Sequence, residues 1–519
     1  MRRRDFAGMG AALAAALGIA PRLGADVPDH LWQGHDFGPG PVPSDRLNQG
    51  PFGIEQDEGW YTIETTTASK EPVRNFGLGL VGYTFEESGP AVAVREGRER
   101  LEDAVERLAS LPFVDLLYIR CDWRDVQSRP GRLDLNPVWP ATLDAARRHG
   151  LRVGVRVQLS SPNFQPERLA LPDFLQAKVP LVEIRRPSAE GPRRVEPRYD
   201  HTEFQRAFRE LNDLLAAELD AHPLVEFMDL MMYGFWGEGH TSDYRQPLPD
   251  YLTAERTFVE MARAQIERWK RVPLVVNTQP DISAVGNREV QDLAVRAGCW
   301  LRSDSIILDE PIQIEALANR PPWLAVIMED GYHRHYGTDT PRFTVDGAGV
   351  NVIEKTMLHA LDLGANYWSL WTEAEALARY DERYPEGFAT LRRRLGYRVR
   401  PSWIWQRMRY GTAELVVAFA NDGVAGVPGI LRVHVEGEGG WRVGGSLDPG
   451  HPHGGRLRQA SFVLPPGTDG KEVRLRAGIE TKGGVRRPVR WACAQPLNPD
   501  GSLSVRLKPH DDAGWRKGI

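Results

Sequence analysis

Apolar runs in the middle of the chain end, one after another, on side chains that can do chemistry. Arg120, Asp122 and Trp123 close one run, and Trp236, Glu238 and His240 follow another. Further along come Asn277 and Gln279, then Asp304, Asp309 and Glu310, then Glu329, Asp330, Tyr332 and His333, and last Trp368, Trp371 and Glu373. Carboxylates, amides and indoles gathered at one place suit the holding of a polyol and the breaking of an acetal. A protonated carboxyl supplies the leaving group's proton, and an ionised one attacks the anomeric carbon or activates water. No Ser/His nucleophile elbow accompanies them. His333 and His335 stand two apart, which on an extended loop splays them to opposite sides, so no metal is expected. No cofactor is expected either.

Groups so far apart in sequence need a scaffold that brings them to one mouth. From Phe76 onward short apolar runs alternate with amphipathic stretches, and the runs predict eight strands: Phe76 to Phe85, Phe113 to Arg120, Leu151 to Leu159, Val225 to Tyr233, Pro273 to Thr278, Ser303 to Leu308, Trp323 to Met328 and Asn366 to Trp371. Helical spacing marks the intervals, as at Leu101, Val105 and Leu108, at Glu203 to Ala221 and at Thr253 to Lys270. Strands alternating with helices pair in parallel, and this number over about 320 residues fits a (β/α)8 TIM barrel better than a doubly wound sheet. In such a barrel the reacting groups sit at the C-terminal strand ends, which is where the polar clusters fall. After Arg400 the period drops to two, with runs at Ala413 to Asn421, Gly429 to Glu436, Ala460 to Leu464 and Glu472 to Ile479, so a small C-terminal β-sandwich is expected. The expected division is a barrel over 76–400 and a sandwich over 401–519, preceded by an irregular, Gly- and Pro-rich lead-in over 26–75.

The remaining features narrow the partners. With 65 Lys+Arg against 70 Asp+Glu, the formal net charge is -5, and no basic block lies beyond the extreme N-terminus, so neither nucleic acid nor a membrane surface is indicated. No Gly-rich phosphate loop follows the first strand, because Gly77-Leu78-Gly79 lies inside an apolar run. Fifteen Trp and fourteen Tyr supply flat amphipathic surface for packing or for sugar stacking. Cys121, Cys299 and Cys493 are odd in number and widely spaced, which supports neither a disulfide framework nor a zinc cluster. At the N-terminus Arg2-Arg3-Arg4-Asp5-Phe6 leads into an Ala-rich run too short to span a bilayer. This resembles a twin-arginine export signal over residues 1–25, and implies a periplasmic or secreted protein.

The stretch Tyr118-Ile119-Arg120-Cys121-Asp122-Trp123-Arg124-Asp125-Val126-Gln127-Ser128-Arg129-Pro130-Gly131-Arg132-Leu133-Asp134 resembles the second-strand signature of the superfamily of barrel glycoside hydrolases that includes β-galactosidases and cellulases. Trp236-Gly237-Glu238-Gly239-His240-Thr241-Ser242, Leu301 to Ser305 and Asn421-Asp422-Gly423 are similar to segments of bacterial glycosidases with an appended sandwich. The resemblance implies an acid/base Glu after the fourth strand and a nucleophile Glu after the seventh, which here fall on Glu238 and Glu329. It implies a carbohydrate substrate touched by Arg120, Asp122, Trp123, Trp236, His240, Asn277, Asp304, Tyr332 and Trp371, and a retaining mechanism. One departure stands out: the Asn that precedes the acid/base Glu in that superfamily and bonds the sugar 2-hydroxyl is Gly237 here. Other readings stay open. Each glutamate could instead form an ion pair with a barrel arginine, Arg120 or Arg302 in the case of Glu329. The chain as a whole could be a non-catalytic carbohydrate-binding barrel, an inverting glycosidase, or a lyase using Tyr332 or His333.

Overall fold

The computed structural model describes residues 51, 59–84, 94, 97–160, 169–184, 194–234, 236–239, 248–278, 287–303, 311–330, 344–345, 348–349, 352–370 and 374–510. Eight parallel strands close into a barrel: β1 (Gly79–Tyr83), β2 (Leu116–Asp122), β3 (Arg152–Gln158), β4 (Val225–Asp229), β5 (Leu274–Asn277), β6 (Trp300–Ser303), β7 (Val326–Asp330) and β8 (Tyr367–Leu370). They neighbour one another in chain order, with β8 beside β1. The chain is therefore a (β/α)8 TIM barrel followed by a β-sandwich. Seven of the eight apolar runs hold a barrel strand, because a parallel strand covered by helices is buried on both faces, and the run Ser303 to Leu308 meets its strand only at Ser303, its other residues lying outside the described ones. The sixth lies about one turn of sequence earlier than its run suggested. Gly298, at φ 78, ends the helix Asn287–Arg296 and lets the strand begin at Trp300.

Alternation sorts each strand's side chains. Val153, Val155 and Val157 of β3 face the helices and join the large core between barrel and helix layer, with Leu211 and Leu215 from Thr202–Leu219. The opposite set fills the barrel. Its floor is apolar and aromatic, with Phe76, Val81, Leu116, Phe227, Val275, Trp300, Ile327 and Tyr367. Gly154 makes room there, since a Cβ at that position would lie 2.4 Å from Cζ of Phe227. Helix ends carry local signals as well. Asp250 accepts the Thr253 N–H at 2.8 Å to start Tyr251–Arg268, and Gly150, at φ 63, closes Val138–His149.

The sandwich stacks two antiparallel sheets. One comprises Tyr61–Thr65, Val399–Arg409, Thr412–Asn421 and Leu457–Val463, and the other Arg442–Ser446, Ile430–Gly437, Glu472–Glu480, Arg486–Val489 and Leu503–Arg506. The first strand corrects the expectation of an irregular lead-in: Tyr61–Thr65 pairs with Val399–Arg409 across more than 330 residues of chain. A five-residue strand with no turn residue inside it was masked by the Gly and Pro around it. The motif Asn421-Asp422-Gly423 is structural. Asn421 Oδ1 accepts from the N–H groups of Arg398 and Gly423, its Nδ2 donates to the carbonyls of Ala425 and Pro452, and Asp422 pairs with Arg400 at 2.7 Å.

Candidate active site

Above the aromatic floor the barrel interior turns polar. Tyr83, Tyr118, Arg156, Asp229 and Arg302 are inward residues of β1, β2, β3, β4 and β6, and all are almost wholly buried. Asp229 sits at the middle. It accepts from the Tyr118 hydroxyl, from Nε of Arg156 at 2.9 Å, and from Nε of Arg302, whose nitrogen lies 3.1 Å from Oδ2. Burial alone would push the Asp229 carboxyl up, but the two guanidiniums and the tyrosine hydroxyl outweigh it and hold the carboxyl below its ordinary 3.8. Arg302 stacks over the Tyr118 ring, 4.9 Å from its centroid, and donates from Nη1 to Ser369 Oγ at 3.2 Å; its Nη2 is buried and has no hydrogen-bond partner among the described residues.

The two candidate glutamates flank this cluster, and both are buried. Glu238 lies on a tight loop after β4 that owes its shape to left-handed residues: Gly234 at φ 77, Trp236 at φ 59, Gly237 at φ 71 and Gly239 at φ 86. A left-handed tryptophan is strained, and its backbone is clamped from both sides. Its N–H donates to Ser160 O at 3.0 Å and its carbonyl accepts from Arg156 Nη1 at 3.1 Å. The same Nη1 donates to Glu238 Oε1, and Arg120 Nη1 lies 3.7 Å from that oxygen. Arg156 thereby bridges Asp229 and Glu238. Glu329, the fourth residue of β7, accepts from the Tyr83 hydroxyl. Burial, and then Glu329 itself, push that hydroxyl well above its ordinary 10.0, so Tyr83 stays protonated and donates. Arg156 feels both glutamates. Burial works against its charge, but Tyr118, Asp229, Glu238 and Glu329 together raise it well above its ordinary value. Of the two carboxyls, Glu238 is paired directly with Arg156, while Glu329 is held by Tyr83 and acts on Arg156 through its charge.

Arg120 and Asp122, two apart on β2, both face inward, and Gln158 links them: its amide donates to Asp122 Oδ1 at 3.2 Å and accepts from Arg120. Asn277, the last residue of β5, is buried opposite Arg302 in register. Trp236 is partly exposed beside Glu238. Trp123 departs from the expected set. It is wholly buried, donates from Nε1 to Gln127 at 2.8 Å and packs edge-on against Phe204, so it belongs to the core under the helices and not to the mouth. Alternation explains this, because the residue after Asp122 points the other way. His240, Asp304, Tyr332 and Trp371 lie outside the described residues, as do Gln279, His333, His335 and Glu373. The side chains of this polar interior that the strand-end reading missed are Tyr83, Arg156, Gln158 and Asp229, each inside an apolar run. The available signal was period-two polarity, clearest in Arg152, Gly154, Arg156 and Gln158 of β3. Among the described residues no group of three His, Cys, Asp or Glu could hold a metal ion, and the three buried cysteines form no disulfide.

No protein-family model matches the chain, and no curated protein matches it. The solved structures to which the chain is similar include several glycosidases. They include the beta-galactosidase of the psychrophilic Marinomonas ef1, at 12% identity and a TM-score of 0.36 over 60% of this chain and 58% of that one. The exo-beta-1,4-mannosidase Op5Man5 from Opitutaceae bacterium strain TAV5 gives 13% identity and 0.36 over 62% and 55%. A family 39 glycoside hydrolase from the gut symbiont Bacteroides cellulosilyticus WH2 gives 9% and 0.36 over 79% and 88%. The chain thus spans little more than half the length of the first two. The barrel is defined by its own closed strand order, apart from these likenesses.

Proposed function

We propose that the protein is an exported glycoside hydrolase acting on a poly- or oligosaccharide by a retaining, two-carboxylate mechanism. The observation that carries the reading is the pair Glu238 and Glu329, from β4's following loop and from β7, buried in one barrel interior, the first on Arg156 and the second on Tyr83. Glu329, oriented by Tyr83, attacks the anomeric carbon, and Glu238 protonates the departing oxygen and later takes a proton from water. Arg156 and Arg120 then stabilise the carboxylate left on Glu238 once it has protonated the leaving group, until water returns the proton in the second step. Arg120, Asp122 and Asn277 hold hydroxyls, and Trp236 offers its indole to a ring face. Export rests on Arg2-Arg3-Arg4-Asp5-Phe6 ahead of the Ala-rich run, so Arg3→Lys with Arg4→Lys should retain the protein in the cytoplasm, as fractionation would read.

The test is release of reducing ends from a panel of polysaccharides and of phenolate from aryl-glycosides. Glu238→Ala should spare activated aryl-glycosides far more than substrates with poor leaving groups, and azide should restore part of its rate with retained configuration. Equal losses on both substrate kinds without an azide effect would refute the assignment.

The hydrogen bond from Arg156 to Glu238 favours a second reading, in which Glu238 is a structural ion pair and the barrel binds carbohydrate without cleaving it. Gly237→Asn separates the two. A Cβ at Gly237 has no neighbour nearer than 3.8 Å, and Asn tolerates the left-handed φ of 71 found there. A hydrolase should gain or keep turnover on receiving an amide for the 2-hydroxyl. A pure binder should change only in affinity, measured by calorimetry.

A further inference from the structure

We infer that Asp229 is a positioning residue that sets the geometry and charge balance of both Glu238 and Glu329. This rests on the reading of those glutamates as the reacting pair.

The argument begins with where Asp229 can reach. It is the last residue of β4, buried to 2% exposure, and lies below the loop that carries Glu238. Three strands send a group to it: β2 through the Tyr118 hydroxyl, β3 through Nε of Arg156 and β6 through Nε of Arg302. Each arginine uses the end nearer its own stem on Asp229 and extends its far nitrogens elsewhere. Nη1 of Arg156 goes to Glu238 and to the carbonyl of Trp236, so a single guanidinium ties Asp229 to the carboxyl and to the loop backbone beneath it. Nη1 of Arg302 goes to Ser369 on β8, and its charge acts on Tyr83, the group that donates to Glu329. Asp229 is thus joined to Glu238 through Arg156, and to Glu329 through Tyr118, whose ring packs edge-on against Tyr83 with 4.8 Å between centroids.

A guanidinium is planar and presents its donors in a rigid fork, so fixing Nε fixes where Nη1 points. Without the carboxylate, two buried positive charges would face Tyr118 and each other with no counter-ion between them, and they would turn toward the remaining carboxylates. Those are Glu238 and Glu329 for Arg156, whose charged and titratable surroundings include Tyr118, Asp229, Glu238, Glu329 and Arg302, with Arg120 on the same Glu238 oxygen. For Tyr83 the surroundings are Glu329, Arg302, Tyr118 and Arg120. Asp229 itself touches neither glutamate. Its effect on the reaction is therefore indirect and should show in pH dependence and in kcat, with substrate binding little changed.

The test uses the full chain with Asp229→Asn, Tyr118→Phe and Arg156→Lys. With 4-nitrophenyl glycosides, Asp229→Asn is expected to lower kcat roughly 10- to 100-fold, the scale of losing a group that orients a reacting side chain. KM should change by less than about twofold, because kcat and KM separate when an interaction matters mainly in the transition state. The alkaline limb of the kcat profile should move to lower pH, since the unneutralised arginines favour release of the carboxyl proton. Tyr118→Phe removes one donor to Asp229 and should move the limb the opposite way, because a carboxylate with one partner fewer draws harder on both arginines. Arg156→Lys keeps a charge without the fork, and should retain the limb while losing kcat. A role confined to folding would lower Tm and kcat together and leave the limb in place.

A second measurement does not depend on turnover. Carboxyl resonances of protein labelled with [δ-13C]glutamate, assigned by their loss in Glu238→Gln and Glu329→Gln, report the titration of each glutamate directly. Both midpoints should fall in Asp229→Asn. Unchanged midpoints in folded Asp229→Asn, or in Tyr118→Phe if the former does not fold, would overturn the proposal. Moved midpoints in a protein that turns over no glycoside would uphold the positioning role and count against the hydrolase reading.

Discussion

One strand of the barrel carries two buried carboxylates that serve opposite ends. Glu226 and Asp229 stand three apart on β4, a spacing that would normally send them to opposite faces. A register shift against β3, between Val153 and Gly154, allows both to face inward, Glu226 at the floor and Asp229 below the mouth. Each is paired with arginine, yet the arginines differ in what else they hold. At the floor Arg152 grips both Glu226 oxygens, at 2.6 and 2.7 Å, and sends its other bonds to the backbone carbonyls of Asn75 and Leu78. Glu226 also accepts from the Gly77 N–H and the Tyr367 hydroxyl, while Tyr397 of the sandwich donates to Phe76 O at 2.6 Å. The floor cluster ends on backbone and so fixes the chain. At the mouth Arg156 ends on Glu238 as well as the Trp236 carbonyl, and Arg302 on Ser369, so part of their geometry is passed to side chains, among them the glutamate proposed as the acid/base. Buried charge at the two ends of one barrel is closed in the first case and left poised in the second.

Breaking each end should therefore give different phenotypes. The largest effect is expected from Glu329→Ala. If Glu329 is the nucleophile, as proposed, its removal should cost turnover roughly 10^4-fold or more for every leaving group. Stability should fall by no more than about 1–3 kcal/mol, the cost of leaving the Tyr83 hydroxyl without this acceptor. Next comes Glu226→Ala at the floor. It leaves Arg152 uncompensated and should destabilise by about 3–5 kcal/mol in urea unfolding, while specific activity per folded molecule is preserved. Loss of activity at full stability would reverse the assignment of the two ends. Smaller again is Gly154→Ala, where the new Cβ must displace the Phe227 ring from 2.4 Å. Overpacking of this kind should cost about 1–3 kcal/mol, with the pH profile unaltered.

The same contrast explains what could be read in the sequence. Parallel strands buried on both faces print continuous apolar runs, so the barrel and its eight strands were visible, and strand ends pointed to Glu238 and Glu329. What stayed hidden lies inside the runs. Arg156, Asp229 and Tyr83 are polar because a barrel's inner face can be polar while its outer face is not, and a scan for apolar stretches averages the two faces. Glu226 was further disguised by the bulge, which breaks the period of two at that residue. Trp123 misled because adjacency to a strand end says nothing about side, whereas its odd offset from Arg120 and Asp122 does.

The smallest expected effect, and the one that sharpens the comparison most, is in the sign of pH dependence at the two ends. Asp115, just ahead of β2 on the floor side, accepts from the Leu80 N–H and pairs with Arg74, yet burial dominates and raises its carboxyl above the ordinary 3.8. A raised carboxyl contributes stability that is present below the unfolded value and lost as pH rises through the folded one. Asp229 runs the other way. Its depressed carboxyl contributes stability present above 3.8 and lost as pH falls through its folded value. Thermal unfolding of wild type, Asp115→Asn and Asp229→Asn from neutral to acid pH should therefore diverge. As pH falls from neutral toward 3.8, wild type should gain on Asp115→Asn, because protonation relieves the buried charge that the variant never carries. Below 3.8 the advantage of wild type over Asp229→Asn should shrink, because protonated Asp229 no longer neutralises Arg156 and Arg302. Parallel curves for the two variants would mean that the carboxylates at floor and mouth experience the same field, and the distinction between a closed and a poised end would fail.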